Sequence, residues 1–212
     1  MRRLVLSFIA ALLGLTLLIP AAPANAALPN VPSTEEAQTQ LAGLAVAPKG
    51  PMTGYSRRQF PTWAGVSGNC NAREMVLIRD GENVETNRAF NSIAGTWYSA
   101  YDGVTITNSS AVDVDHMVPL AEAWRTGAAD WTPQERREFA NDLTRPQLLA
   151  VSASSNRSKG DQTPAQWLPP ETSFRCEYSK AWIAVKSYWK LTIDSAEKQA
   201  LGLPRVWLTS DL

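Results

Sequence analysis

Apolar and polar positions along the chain follow two periods, one typical of short helices and one typical of short strands. Helix starts are indicated at Ser33 and at Thr132, where Pro133 and Glu135 complete a capping box with proline at the first helical position. Alternation over residues 112–118 predicts a half-buried strand. The pattern predicts helices over residues 34–46, 72–79, 119–124, 133–143, 156–163, 171–189 and 194–200, and strands over residues 97–100, 104–107, 112–118 and 147–151.

Turn-forming residues separate these elements. The pair Asp102-Gly103 lies between two of the predicted strands, which favours a β-hairpin at that point. Residues 48–69 are rich in Gly, Pro and Ser but include three aromatic residues, so we expect an irregular segment that packs onto the rest of the protein. Several helices combined with a few antiparallel strands are typical of the α+β class, which is the fold class we predict.

The first 26 residues have the features of a secretory signal peptide. Arg2 and Arg3 precede an almost wholly apolar run over residues 4–19, and an Ala-Asn-Ala sequence ends at Ala26. An uncleaved membrane anchor is the alternative, but the run is short for a transmembrane span. We therefore expect cleavage after Ala26, a secreted protein without stable membrane association, a partly flexible N-terminal extension over residues 27–59 and the main domain over residues 60–212.

The composition narrows the chemistry that is available. The chain has 20 Lys and Arg residues against 20 Asp and Glu, which disfavours a basic protein that coats nucleic acid. It has one histidine, His116, and two cysteines, which excludes zinc fingers, CxxC redox motifs and histidine-rich metal sites. Because export exposes a protein to oxidising conditions, we predict a disulfide between Cys70 and Cys176, with two buried thiols as the alternative.

Side chains suited to phosphodiester cleavage are concentrated in two segments. Residues 113–120 place two carboxylates beside the imidazole, and residues 155–161 gather an amide, a guanidinium and an ammonium group. A divalent cation prefers oxygen ligands, an imidazole can take the proton of an attacking water, and Arg and Lys can hold phosphate oxygens. The candidate residues are Asp113, Asp115, His116, Asn156, Arg157 and Lys159.

The two segments also carry a family resemblance. Asp-His-x-x-Pro-Leu at residues 115–120, followed by Asn-Arg-x-Lys-Gly-Asp at residues 156–161, resembles HNH endonucleases with the ββα-metal fold. The sequence is most similar to secreted actinobacterial HNH proteins that are related to the C-terminal nuclease domain of GmrSD-type restriction enzymes. Because flanking stretches at residues 70–80 and 174–176 also resemble that group, the similarity covers roughly residues 60–190. It implies a ββα-metal core with additional helices.

The resemblance implies a role for each motif residue. Asp115 and Asn156 would be the protein ligands of one Mg²⁺ or Mn²⁺ ion, and His116 would be the general base. Arg157 and Lys159 would each either contact phosphate or pair with an acidic neighbour. The implied enzyme is a metal-dependent hydrolase of phosphodiester bonds.

One position departs from the family pattern. HNH proteins usually have a middle asparagine that orients the base, whereas this chain has Gln147 nine residues before Asn156. Asn141 is the nearest asparagine, but it lies on the predicted preceding helix. We take Gln147 as the positional match, since its amide can make similar hydrogen bonds.

Strand geometry restricts how these residues share a site. Adjacent residues of a regular strand point to opposite faces, so Asp115 and His116 can face one site only where the strand ends or bends, as Pro119 makes plausible. The same alternation places Asp113 on the face of Asp115. Asp113 is therefore either a further carboxylate near the metal or a residue that orients a metal ligand.

These observations favour a secreted, metal-dependent endonuclease. The balanced charge offers few phosphate contacts and no base-reading module is recognisable, so we expect low sequence specificity, with DNA favoured over RNA, and a monomer. The alternative is a catalytically inactive exported protein that keeps the HNH scaffold for binding, for which Gln147 is the support. A serine hydrolase is disfavoured because no Gly-x-Ser-x-Gly sequence occurs.

Overall fold

A computed structural model of the chain describes residues 28–202, and the predicted signal peptide lies outside these residues. Within them the fold is α+β, as predicted. The helices are α1 (Thr34–Gly43), α2 (Ala72–Asp80), α3 (Leu120–Thr126), α4 (Pro133–Ala140), α5 (Ala153–Lys159), α6 (Arg175–Tyr188) and α7 (Ser195–Leu201). The strands are β1 (Gly65–Ser67), β2 (Cys70–Asn71), β3 (Gly81–Thr86), β4 (Ser92–Ser99), β5 (Val104–Ile106), β6 (Val112–His116) and β7 (Leu148–Ser152).

The helices begin at the polar residues that the sequence indicates. The Ser33 hydroxyl accepts a hydrogen bond from the backbone N–H of Glu36, three residues into α1. Thr132 and Glu135 form the reciprocal capping box of α4, each side chain accepting from the other's backbone N–H. Such caps satisfy N–H groups that have no partner within the helix, which explains why short helices begin at these positions.

The strands form three small antiparallel sheets, which pair β1 with β2, β3 with β4 and β5, and β6 with β7. The predicted hairpin at Asp102-Gly103 is confirmed, and Gly103 has the positive φ of 71° that such a turn favours. Strand β3 was not predicted, because its sequence is polar and without clear alternation. It exists because its backbone pairs with β4, a contact that a local pattern does not reveal.

The β6–β7 pair separates two hydrophobic cores. Val112 and Val114 face the smaller core, which also contains Val76, Leu77 and Trp97. The opposite face of the pair carries Leu149 and Val151 into the larger core. Asp113 and Asp115 pair with Val151 and Leu149 respectively, so the two carboxylates lie on that second face. The period-two pattern of the strand therefore places both acids on one side, as the sequence predicts.

The N-terminal extension contributes to the larger core. Leu28, Leu41 and Leu44 are buried there. Further along the extension, the backbone N–H of Ala47 donates to the carbonyl of Ile193, at 3.0 Å. Residues 28–47 are thus packed against the rest of the chain, while the domain boundary at residue 60 stays a prediction.

The predicted disulfide is not present. Cys70 and Cys176 are both buried, and their sulfurs are not bonded to one another. Cys70 lies at the start of β2, directly before α2, whereas Cys176 lies in the first turn of α6. The prediction rested on export and on the number of cysteines, and neither carries information about which elements are neighbours. The alternative of two buried thiols therefore describes the structure.

No helix within residues 28–202 has both the length and the apolar character that a membrane span requires.

Candidate active site

A pocket lies where the end of β6 meets α5, and both motif segments contribute to it. Because β6 ends at His116, the adjacent residues Asp115 and His116 both line this pocket, as the sequence analysis requires. Antiparallel β6 and β7 followed directly by α5 give a β-β-α unit, and its elements β6 and α5 contribute half of the lining residues. The lining residues are Arg57, Val114, Asp115, His116, Pro119, Leu120, Asn156, Arg157, Gly160 and Asp161.

Asp115 is buried and held by two donors. Its Oδ2 accepts a hydrogen bond from the Tyr101 hydroxyl at 2.6 Å and lies 2.8 Å from the Lys159 Nζ. Lys159 also donates to Asp115 Oδ1 and to the backbone carbonyl of His116. Burial raises the pKa of the Asp115 carboxyl, although the Lys159 ammonium opposes that shift. Lys159 is itself fully buried, so it pairs with an acidic neighbour and does not reach the surface of the pocket.

The imidazole of His116 is held by the end of α4. Its Nε2 lies 3.0 Å from the carbonyl oxygen of Ala140, the last residue of that helix. Carbonyls in a final helical turn have no partner within the helix, and the ring supplies one here. Since a carbonyl can only accept, Nε2 carries the proton in the neutral ring and Nδ1 keeps its lone pair. The ring also stacks on Trp63, with centroids 5.4 Å apart and planes 15° from parallel.

Burial keeps the His116 ring neutral. It lowers the pKa of His116 to about 3, with smaller contributions from the charges of Arg57 and Lys159, while the hydrogen bond to Ala140 acts in the opposite direction. At neutral pH the ring is therefore uncharged and can accept a second proton at Nδ1.

Asn156 is oriented by Asp113. The Asn156 Nδ2 donates to Asp113 Oδ2 at 3.0 Å, which fixes the amide and leaves its carbonyl oxygen to act as a ligand. Of the two roles that the sequence left open for Asp113, this contact supports the orienting one.

The donor set fits a divalent cation that keeps most of its water. Tyr101 and Lys159 already contact both oxygens of Asp115, so a cation in this pocket would share the carboxylate with them. Asn156 adds a second oxygen at the same pocket. Residues 28–202 hold no group of three or more His, Cys, Asp or Glu side chains arranged for a metal. Mg²⁺ typically binds in this way, through one or two protein oxygens, water and substrate phosphate.

Gln147 positions the backbone that follows Asp115 and His116. Its Oε1 accepts from the Val118 N–H at 3.1 Å, and its Nε2 donates to the Val118 carbonyl at 3.0 Å. The carbonyl of Gln147 also accepts from the Met117 N–H. The glutamine thus fixes the two residues after His116, whereas the imidazole itself is held by Ala140.

Replacing Gln147 by leucine is expected to destabilise the fold. The change leaves two buried backbone groups of Val118 without partners, at a cost of about 1–3 kcal/mol for each group in the free energy of unfolding. Urea denaturation of both variants measures it, with Gln134→Leu, an exposed glutamine on α4, as the matched control. Equal stability of the two variants would contradict this account of Gln147.

Several site residues were not identified from the sequence. Tyr101 follows the β4 strand and has no motif of its own, and Ala140 acts through its backbone, which no side-chain pattern reports. Trp63 and Arg57 lie in the irregular segment before β1. The aromatic content of that segment indicated packing, but nothing in it indicated contact with His116. Arg157, by contrast, is exposed and lines the pocket, as its motif position suggests.

Comparison with known proteins agrees with the motif analysis. The family model of the C-terminal domain of GmrSD restriction endonucleases matches residues 72–202. An uncharacterized secreted protein of Arthroderma benhamiae is 51% identical over 195 residues, which cover 92% of this chain and 95% of that protein. No solved structure matches the chain. The matched residues include the whole β6–β7–α5 unit and every residue that lines the pocket except Arg57. The chain therefore belongs to the family of GmrSD restriction endonuclease C-terminal domains.

Proposed function

We propose that the protein is a secreted, metal-dependent HNH endonuclease that hydrolyses phosphodiester bonds, with DNA as the favoured substrate and low sequence specificity. The observation that carries the proposal is the pocket in which a neutral imidazole, the carboxylate of Asp115 and the amide of Asn156 lie together. Membership of a restriction-endonuclease family supports the nuclease activity. The secreted relative and the N-terminal sequence support export.

His116 would act as the general base in this reaction. Nδ1 takes a proton from a water molecule, whose oxygen attacks the phosphorus as the bond from phosphorus to the 3′ oxygen breaks. Ala140 holds Nε2–H, so the ring keeps the tautomer that the transfer needs. A phosphate beside the ring would raise the low pKa of His116, because a negative neighbour favours the protonated form.

The remaining side chains would bind the metal ion and the phosphate and would balance their charges. Asp115 and Asn156 would hold Mg²⁺ or Mn²⁺, which when bound would neutralise the phosphate and stabilise the leaving oxygen. Arg157, exposed at the rim, would contact a phosphate oxygen. Lys159 would keep Asp115 ionised and in place, since it is buried against that carboxylate.

The binding-protein alternative now has weaker support. It rested on Gln147 in place of an asparagine that orients the base, but the Ala140 carbonyl occupies the orienting position. The test of function therefore treats binding without cleavage as one of its outcomes.

Metal removal is expected to abolish cleavage. We expect purified residues 27–212 to nick supercoiled plasmid with Mg²⁺ or Mn²⁺ and to lose that activity in EDTA, with recovery on adding excess metal. Parallel reactions with linear duplex DNA and RNA establish the substrate preference. Cleavage that persists after metal is stripped contradicts the metal assignment, and folded protein that binds DNA but cuts nothing under either metal supports the binding-protein alternative.

A further inference from the structure

A segment outside the family match contributes a residue to the pocket and packs against His116. Residues 56–64, which we name the N-terminal strap, precede the matched residues 72–202, and their Arg57 lines the pocket. The strap contains a short 3-10 turn at Arg57–Gln59 and an irregular stretch up to β1. Arg57 adds a cation to the pocket lining, and Trp63 stacks on the imidazole of His116.

The strap is firmly attached to the helix that holds the base. Asn141, at the end of α4, accepts a hydrogen bond from the Ala64 N–H at 2.7 Å and donates to the Pro61 carbonyl at 2.8 Å. The Arg136 guanidinium donates to the carbonyl of Gln59 at 3.2 Å. These contacts attach the strap to α4, the helix whose last carbonyl holds the His116 ring. The strap and the ring are therefore positioned by the same helix.

Arg57 presents its charge to the pocket. Its side chain is exposed and lines the pocket together with His116, and its charge is close enough to contribute to the low pKa of that ring. Within residues 28–202 its guanidinium makes no hydrogen bond and no ion pair. Asp161 lines the same pocket but lies beyond ion-pair distance of Arg57. By contrast, the arginines Arg73, Arg79 and Arg125 are each paired with a carboxylate.

We propose that Arg57 of the N-terminal strap binds a phosphate oxygen of the nucleic acid next to the bond that is cut, and so belongs to the substrate site. The inference rests on the proposed function. A guanidinium offers a planar fork of N–H donors that matches phosphate oxygens, and Arg157 offers a second one from α5. Two guanidinium groups from different parts of the chain would then contact the backbone in the pocket that His116 lines.

The test compares Arg57→Ala with Arg58→Ala. Arg58 is the matched control, because it is the adjacent arginine, is exposed and does not line the pocket. We expect Arg57→Ala to lower kcat/KM for DNA cleavage by about tenfold or more, the effect of one lost charge-assisted hydrogen bond. Arg58→Ala should stay within about twofold of the wild type, as substitutions of surface charges commonly do. Arg57→Lys should lie between them, because it keeps the charge and loses the fork.

A binding measurement separates this inference from the proposed function. The same substitutions in a His116→Ala background are tested with a fluorescent DNA duplex in EDTA at several salt concentrations. Arg57→Ala should weaken binding and reduce the salt dependence by about one phosphate contact, and Arg58→Ala should change binding little. If the wild type cleaves DNA but Arg57→Ala matches Arg58→Ala in both assays, the inference is overturned and the proposed function stands. If the wild type does not cleave DNA or RNA, the proposed function fails. The difference in DNA binding between Arg57→Ala and Arg58→Ala then decides whether Arg57 contacts phosphate.

Discussion

Replacing His116 by alanine is expected to lower the rate of phosphodiester cleavage by about 10²–10⁴-fold, the usual contribution of a positioned general base. The ring is neutral, its Nε2–H is held by the Ala140 carbonyl and its Nδ1 is left to accept a proton. No other histidine exists in the chain to replace it. Single-turnover nicking of supercoiled plasmid with saturating protein and metal measures the chemical step directly.

Two controls make the His116 result specific. Circular dichroism and thermal unfolding establish that the variant is folded, since the ring also packs against Trp63. Added imidazole should restore part of the activity, because it can enter the space left by the ring and act as a base. A folded His116→Ala variant that cuts at the wild-type rate would assign the activity to another site or to a contaminant.

The elements of this fold could be predicted where local chemistry determines them. The capping residues Ser33 and Thr132 predict helices, and the alternation before His116 predicts a strand. The structure has α1, α4 and β6 at these positions. Helix α4 ends at Ala140, three residues before the predicted end at residue 143, because Asn141 turns its side chain toward Pro61 and Ala64. That contact is with a segment about eighty residues away, and local periodicity does not record it.

The site followed the same division between local and long-range information. Asp115, His116 and Asn156 stand in contiguous motifs, so their types and spacing could be recognised from the sequence. Two of the groups that hold them come from outside the motifs, namely the Tyr101 hydroxyl for Asp115 and the Ala140 carbonyl for His116. Tyr101 and Ala140 have no fixed spacing from the motifs in the sequence, because the fold alone brings them near the site.

The disulfide prediction failed for a related reason. Export and the presence of two cysteines mean that a disulfide is chemically allowed. The bond also requires that the fold brings the two sulfur atoms within bonding distance. Cys70 lies in β2 and Cys176 lies in α6. No motif or hairpin in the sequence indicates whether these two elements are neighbours.

Lys159 shows how burial decides between two roles that the sequence leaves equal. A lysine in a turn after a motif asparagine suits a phosphate contact or an ion pair. In the structure the Lys159 ammonium has no exposed surface and makes three contacts, two with the Asp115 carboxylate and one with the His116 carbonyl. It therefore fixes the relative position of the metal-ligand candidate and the base, and its loss should affect stability before it affects substrate binding.

Replacing Lys159 by methionine is expected to lower the free energy of unfolding by about 3–5 kcal/mol at neutral pH, because Asp115 is left buried without its counter-charge. The double variant Asp115→Asn with Lys159→Met is the matched control and should recover much of that loss, since it buries no charge. Burial already raises the pKa of Asp115, and loss of Lys159 raises it further. Above about pH 4 the unfolded carboxyl is ionised while the folded one retains its proton, so the stability of Lys159→Met should fall as pH rises. Urea denaturation of the three proteins from pH 4 to pH 8 measures this slope. A deficit that does not change with pH, or a double variant no more stable than Lys159→Met, would contradict the assignment of Lys159 as the counter-ion of Asp115.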